Sequence, residues 1–128
     1  MEKPELRHLF LIGVGGVIGA LSRYGVDEIF GDIALATFIV NLFGVAIAAT
    51  CTYRLSLNTD QRLFLVTGFS GGFTTYSAFA FLLYDLTIAQ AGLYIVVSLL
   101  LSLALIHKSG HAVVQKQNSK LVQYRQQA

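Results

Sequence analysis

Four long apolar runs, separated by short polar connections, fill most of this 128-residue chain and decide what it can fold into. They cover residues 9–26, 33–53, 63–84 and 88–106, and the last three contain no charged residue. Each is close to the roughly 20 residues that an α-helix needs to cross a bilayer. Backbone N–H and C=O groups cannot stay unpaired in hydrocarbon, so each run is helical or shielded by protein. The period-two alternation of a membrane barrel is absent. The sequence therefore predicts an all-α membrane protein of four transmembrane helices, a single domain over 1–128 with a basic polar tail at 107–128. Lys3 and Arg7 before the first run resemble the start of a cleaved leader. No small-x-small cleavage site follows cleanly, and Arg23 lies near the end of the run, so a membrane span is the better reading.

Charged residues make up 12% of the chain, about half the share of a soluble domain. Their placement reports orientation. Lys3, Arg7, Arg54, Arg62, Lys108, Lys116, Lys120 and Arg125 fall on one side, and Arg23 alone falls on the other, beside Asp27, Glu28, Asp32 and Asp85. The positive-inside rule puts both termini and the middle connection in the cytoplasm. The predicted location is the cell (plasma or inner) membrane, multi-pass, with no nucleic-acid partner. Cys51 is the sole cysteine, so no intramolecular disulfide or cysteine metal cluster can form. His107 and His111 stand one helical turn apart. Without a third ligand they read as an exposed pair in the basic tail.

The third run is unusual for a span. Residues 68–79 read GFSGGFTTYSAF, with Gly68, Gly71 and Gly72 beside Ser70, Thr74, Thr75 and Ser77. Each Gly weakens a helix by about 1 kcal/mol relative to Ala, and neighbouring hydroxyls compete for the backbone. A break or unwinding is expected at 71–75, near mid-membrane. Freed carbonyls there need protein, water or an ion, and broken helices recur at ion sites. Small residues also serve close helix packing, which is the plainer use of such a span. Phe69, Phe73, Tyr76 and Phe79 recur at helical steps, forming a stripe beside Ser70, Thr74 and Ser77. Ring edges are electropositive and can attract an anion. A structural aromatic stripe is the alternative.

Other polar groups lie in the remaining runs. Asn41 sits near the centre of TFIVNLFG, one turn after Thr37, and its amide needs partners in hydrocarbon. It reads as interhelix glue or as a donor to a desolvating anion. Tyr94, Ser98 and Ser102 share one face of the fourth run, either as a polar track or bonded to their own helix. In the first run, GVGGVIGALSRY fails as a dinucleotide fingerprint, because Ile18 stands where the third Gly belongs. Gly15 and Gly19 read instead as a small-x-x-x-small packing face. Arg23 can snorkel, pair with Asp27 or form a vestibule charge.

These segments together resemble the Fluc (CrcB) family of microbial fluoride channels. The likeness is carried by GGVIGALSRY, ATFIVNLFG and GFSGGFTTYSAF and covers essentially the whole membrane portion. It implies an antiparallel dual-topology homodimer with two pores and passive export of fluoride from the cytoplasm. It also implies a structural sodium ion at the dimer centre, held by backbone carbonyls at positions matching Gly71 and Thr74. Fluoride contacts map to Asn41, Tyr76, Ser77 and Phe79, a polar track to Thr37, Tyr94, Ser98 and Ser102, and a vestibule charge to Arg23. The chain departs from the family pattern at Tyr76, where Phe is common, and at Ala78, where Thr is common. Its one-sided loop charge also departs from the weak bias that dual insertion calls for.

Other functions fit less well. A proton-coupled exporter needs a carboxylate inside the membrane, and no Asp or Glu lies within any run. A non-conducting assembly subunit predicts no ion flux from purified protein. An enzyme is not expected, since no nucleophile–base pair or metal-ligand set is visible.

Overall fold

The computed structural model describes residues 5–127, so Lys3 lies outside the described residues. Helix α1 spans Leu6–Phe30 and α2 spans Ile33–Tyr53. The next helix, α3, occupies residues 59–73 without interruption. It begins as an α-helical turn at Thr59–Arg62, widens to a π-helix over Leu63–Ser70 and closes with the α-helical turn Gly71–Phe73. Two extended residues, Thr74 and Thr75, separate it from α4, Tyr76–Asp85. Helix α5 then runs from Ile88 to Gln127. Among the described residues there is no strand.

Local chemistry sets the connections. Gly31 ends α1 in the left-handed region at φ 63°, where an L side chain would be strained, and its N–H bonds the Asp27 carbonyl. Asp32 follows at once and caps α2, its carboxylate accepting from Leu35 N at 2.7 Å. Asn58 and Gln61 form a reciprocal capping box that opens α3. Thr87 and Gln90 bond each other at the start of α5. The second predicted span, 33–53, coincides with α2. The first is longer at both ends than the apolar run, because polar residues extend it. The fourth continues through the basic tail as one helix.

Helix α1 packs chiefly against α3, and α2 against α5. The α1–α3 seam is made by glycine on both sides. A Cβ at Gly15 would collide with the Phe64 carbonyl, one at Gly19 with the Phe69 carbonyl, and one at Gly72 with the Gly16 carbonyl. A Cβ at Gly68 would stand 2.7 Å from the Ile12 carbonyl. The packing role read for Gly15 and Gly19 is therefore the observed one, and Gly68 and Gly72 are its counterpart. At the polar end of this seam Asp60 pairs with Arg7 and lies 3.6 Å from His8 Nε2.

The break falls inside the expected window but is narrower. Gly71 and Gly72 remain helical, and the chain turns extended only at Thr74 (ψ 157°) and Thr75 (φ −140°, ψ 122°). The aromatic stripe read across 69–79 is consequently not continuous, since helical phase is lost between Phe73 and Tyr76. Phe69 and Phe73 instead stack on each other at 5.6 Å with planes 11° apart, and Phe73 is buried.

Candidate functional site

The two residues of the break are held by side chains. Asn41, at mid-length in α2, accepts from Thr75 N at 2.7 Å through Oδ1 and donates to the Thr75 carbonyl at 3.0 Å through Nδ2. The amide thus pairs with Thr75 as a strand neighbour would. Thr75 in turn restarts the helix as the N-cap of α4, its Oγ1 accepting from Ala78 N at 3.2 Å. Thr74 closes α3 from the other side, with its Oγ1 donating to the Ser70 carbonyl at 2.9 Å. Its methyl occupies the space left by Gly44 of α2, where a Cβ would clash with Thr74 Cγ2. The sequence placed Thr75 in the expected break but not among the site residues. A threonine after a break and before an apolar run is the signal that could have found it.

Beside this junction opens a groove of about 340 Å³ between α2, α4 and α5. Asn41, Thr74, Thr75, Tyr76, Phe79, Ser98 and Ser102 line it, with Val45 and Leu99 supplying apolar wall. A smaller recess of about 20 Å³ shares Asn41, Ser98 and Ser102 and adds Phe38, Leu42 and Tyr94. Residues that the sequence scattered over three apolar runs therefore meet on one surface. The hydroxyls of Ser98 and Ser102 make no hydrogen bond among the described residues, so they do not bond their own helix carbonyls as Ser22 and Ser70 do. Their hydroxyls remain available to the groove. Tyr94 differs: its hydroxyl donates to the Ala34 carbonyl at 3.0 Å. Its ring is the part that faces the site, 5.6 Å from Phe79 and 6.0 Å from Phe38, the latter edge-on.

Three expected residues lie off this surface. Thr37 is 1% exposed and lines neither opening. Ser77 is exposed, its Oγ 3.4 Å from Thr75 Oγ1, and it lines neither opening. Arg23 is half-buried on α1 and makes no ion pair among the described residues, with Asp27 or any other acid. Tyr76 is 82% exposed, so its ring forms an open rim of the groove.

A cation site of acidic or imidazole ligands does not exist among the described residues. The break offers oxygen instead. Thr75 N, the helical partner that Gly71 O would have had, is taken by Asn41, which leaves Gly71 O a long contact from Thr74 Oγ1 at 3.4 Å. No backbone amide outside the helical ladders bonds the Thr74 carbonyl among the described residues. Gly71 is exposed, with open space where a Cβ would stand. Hard cations favour such neutral and carbonyl oxygens, so these residues fit a sodium ion if a second set of oxygens completes the shell.

Comparison with known proteins identifies the family. The family described as CrcB-like protein, Camphor Resistance (CrcB), matches residues 10–109. A protein of Nitratidesulfovibrio vulgaris named fluoride-specific ion channel FluC is 39% identical over 85 residues, covering 59% of this chain and 68% of that one. One of Azobacteroides pseudotrichonymphae bearing the same name is 38% identical over 98 residues, covering 70% of this chain and 77% of the relative. A third, from Methanococcus maripaludis, is 42% identical over 82 residues, covering 59% and 67%. The matched region contains every residue that lines the groove, and the chain belongs to the CrcB (Fluc) family of membrane-embedded fluoride channels, which are not enzymes.

Proposed function

We propose that this chain is a fluoride-selective channel that lets fluoride leave the cytoplasm passively, as an antiparallel homodimer with two pores and a structural sodium ion at its centre. The observation that carries the reading is the meeting of Asn41, Tyr76, Phe79, Ser98 and Ser102 on one groove beside the helix break. Fluoride is small and strongly hydrated, so a selective path must replace lost water with donors at close range without holding the ion. The unbonded hydroxyls of Ser98 and Ser102, the Asn41 amide and the ring edges of Tyr76, Phe79 and Tyr94 provide such a series. Thr37 and Ser77 lie off the groove, and Arg23 draws anions to the vestibule. No lysine or arginine lies on the groove to trap the ion.

Among the described residues three helices are long and apolar enough to cross a membrane on their own: Leu6–Phe30, Ile33–Tyr53 and Ile88–Gln123. The fourth crossing is made jointly by α3 and α4. Their lengths, about 22 and 15 Å at 1.5 Å per residue, together exceed a bilayer core of about 30 Å. The junction between them then falls at membrane depth, where the Thr74 carbonyl requires a partner. The Gly71 and Thr74 carbonyls of two copies would hold the sodium ion, which would supply positive charge there without permeating.

The test is fluoride efflux from liposomes followed with a selective electrode, with chloride as control. Fluoride efflux without chloride efflux is expected. Phe79→Ile and Asn41→Asp are expected to abolish flux while the dimer still purifies. Normal flux in both variants would remove those residues from the path, and absence of flux in the wild type would leave a non-conducting membrane subunit.

A further inference from the structure

The peptide unit joining Thr74 to Thr75 brings together two features that the proposed function uses separately. Its N–H, on Thr75, donates to Asn41 Oδ1 at 2.7 Å. Its C=O, on Thr74, is one of the oxygens that fit sodium. This peptide is trans and planar, so its N–H and C=O point in opposite directions and cannot be aimed independently. Asn41 holds the following peptide as well, donating to the Thr75 carbonyl at 3.0 Å. One side chain therefore fixes two consecutive planes in the only extended backbone between α3 and α4. The same amide lines both parts of the groove.

We infer that Asn41 is the positioning residue for the Thr74 carbonyl, coupling the wall of the fluoride path to cation binding at the break. The inference rests on the sodium reading above. A cation at the Thr74 oxygen polarises the peptide and makes its N–H a better donor, so the Asn41–Thr75 bond tightens when the site fills. By linkage, loss of that bond weakens cation binding by the same factor. Sodium in turn steadies the Asn41 side chain on the groove wall.

The purified dimer tests this directly. Its melting temperature is measured against sodium concentration, with N-methylglucamine holding ionic strength constant. Wild type is expected to show a saturable rise. In Asn41→Ala the midpoint moves to higher sodium by about tenfold, the middle of the usual range for coupled sites. Asn41→Asp keeps an oxygen acceptor for the Thr75 N–H but loses the donor to the Thr75 carbonyl, so its midpoint moves less than that of Asn41→Ala although its flux is lost. Ser102→Ala lies on the same groove without touching Thr75 and lowers flux with no change in midpoint. A wild-type midpoint in Asn41→Ala overturns the coupling. A wild type indifferent to sodium overturns the sodium reading itself, and the coupling with it. If Asn41→Ala does not assemble, amide exchange in the wild type decides: sodium slows exchange of the Thr75 N–H by about tenfold, and equal rates in both salts overturn the inference.

Discussion

At the scale of single residues, the site depends on which polar atoms are already engaged. Tyr94 and Ser98 stand four residues apart on α5 and look alike as hydroxyl bearers in the sequence. The structure separates them, because the Tyr94 hydroxyl is committed to Ala34 O while Ser98 has no partner among the described residues. Tyr94→Phe should therefore cost about 1 kcal/mol of stability, the net worth of one hydrogen bond, and leave fluoride flux near wild type. Tyr94→Ala should lower flux sharply, because it removes the ring that packs on Phe79 and Phe38. Thermal melting and liposome efflux on the two variants check this, and severe flux loss in Tyr94→Phe would show that the hydroxyl belongs to the path. Asn41 makes a similar point. Its need for partners was legible in the sequence, since an amide in an apolar run must be satisfied. The identity of the partner was not, because Thr75 lies 34 residues away and becomes reachable only through the break.

At the scale of elements, helix ends and packing faces were readable to different depths. The α1–α2 connection follows from Gly31 and Asp32, a left-handed stop followed by an N-cap, and α2 begins and ends where its apolar run does. The break between α3 and α4 was expected from Gly71, Gly72 and the adjacent hydroxyls, yet those two glycines stay helical and the threonines carry the extension. Gly72 is present for packing: it lies against the Gly16 carbonyl in the α1–α3 seam. The π-helical stretch Leu63–Ser70, a rare geometry, was not read from the sequence. The seam gives a graded prediction. Gly19→Ala and Gly72→Ala put a methyl against backbone carbonyls that cannot rotate away, and each should destabilise the protein by about 1–3 kcal/mol, as overpacking does. Gly92→Ala on α5 meets nothing within 4 Å and should gain up to about 1 kcal/mol from helix propensity. Melting temperatures in one detergent rank the three, and equal values would mean that the α1–α3 approach is looser than the described packing.

At the scale of the whole molecule, the surface left by one chain and the charge on its loops bear on assembly in opposite ways. Tyr76 is 82% exposed on the groove rim, and Gly71 leaves open space beside the break. A second copy facing the first in the opposite sense would close both and bring a second pair of Gly71 and Thr74 carbonyls to the centre. Charge argues for a single orientation, since every lysine and arginine except Arg23 lies on one side. The basic tail contributes Lys108, Lys116, Lys120 and Arg125, which lie beyond the apolar stretch that ends at 106. Charges far from a span end weigh little in orientation, which discounts the last of these. Arg23, close to the opposite interface, then has more influence than a plain tally gives it. A cysteine introduced as Asn118→Cys in a Cys51→Ser background should react with a membrane-impermeant thiol reagent in about half the molecules of intact cells, as two equal orientations require. Arg23→Gln should shift the labelled fraction toward zero, because it deletes the one positive charge that favours the inverted orientation. Labelling that is one-sided in the parent chain as well would rule out the antiparallel homodimer and require an oppositely inserted homologue as partner.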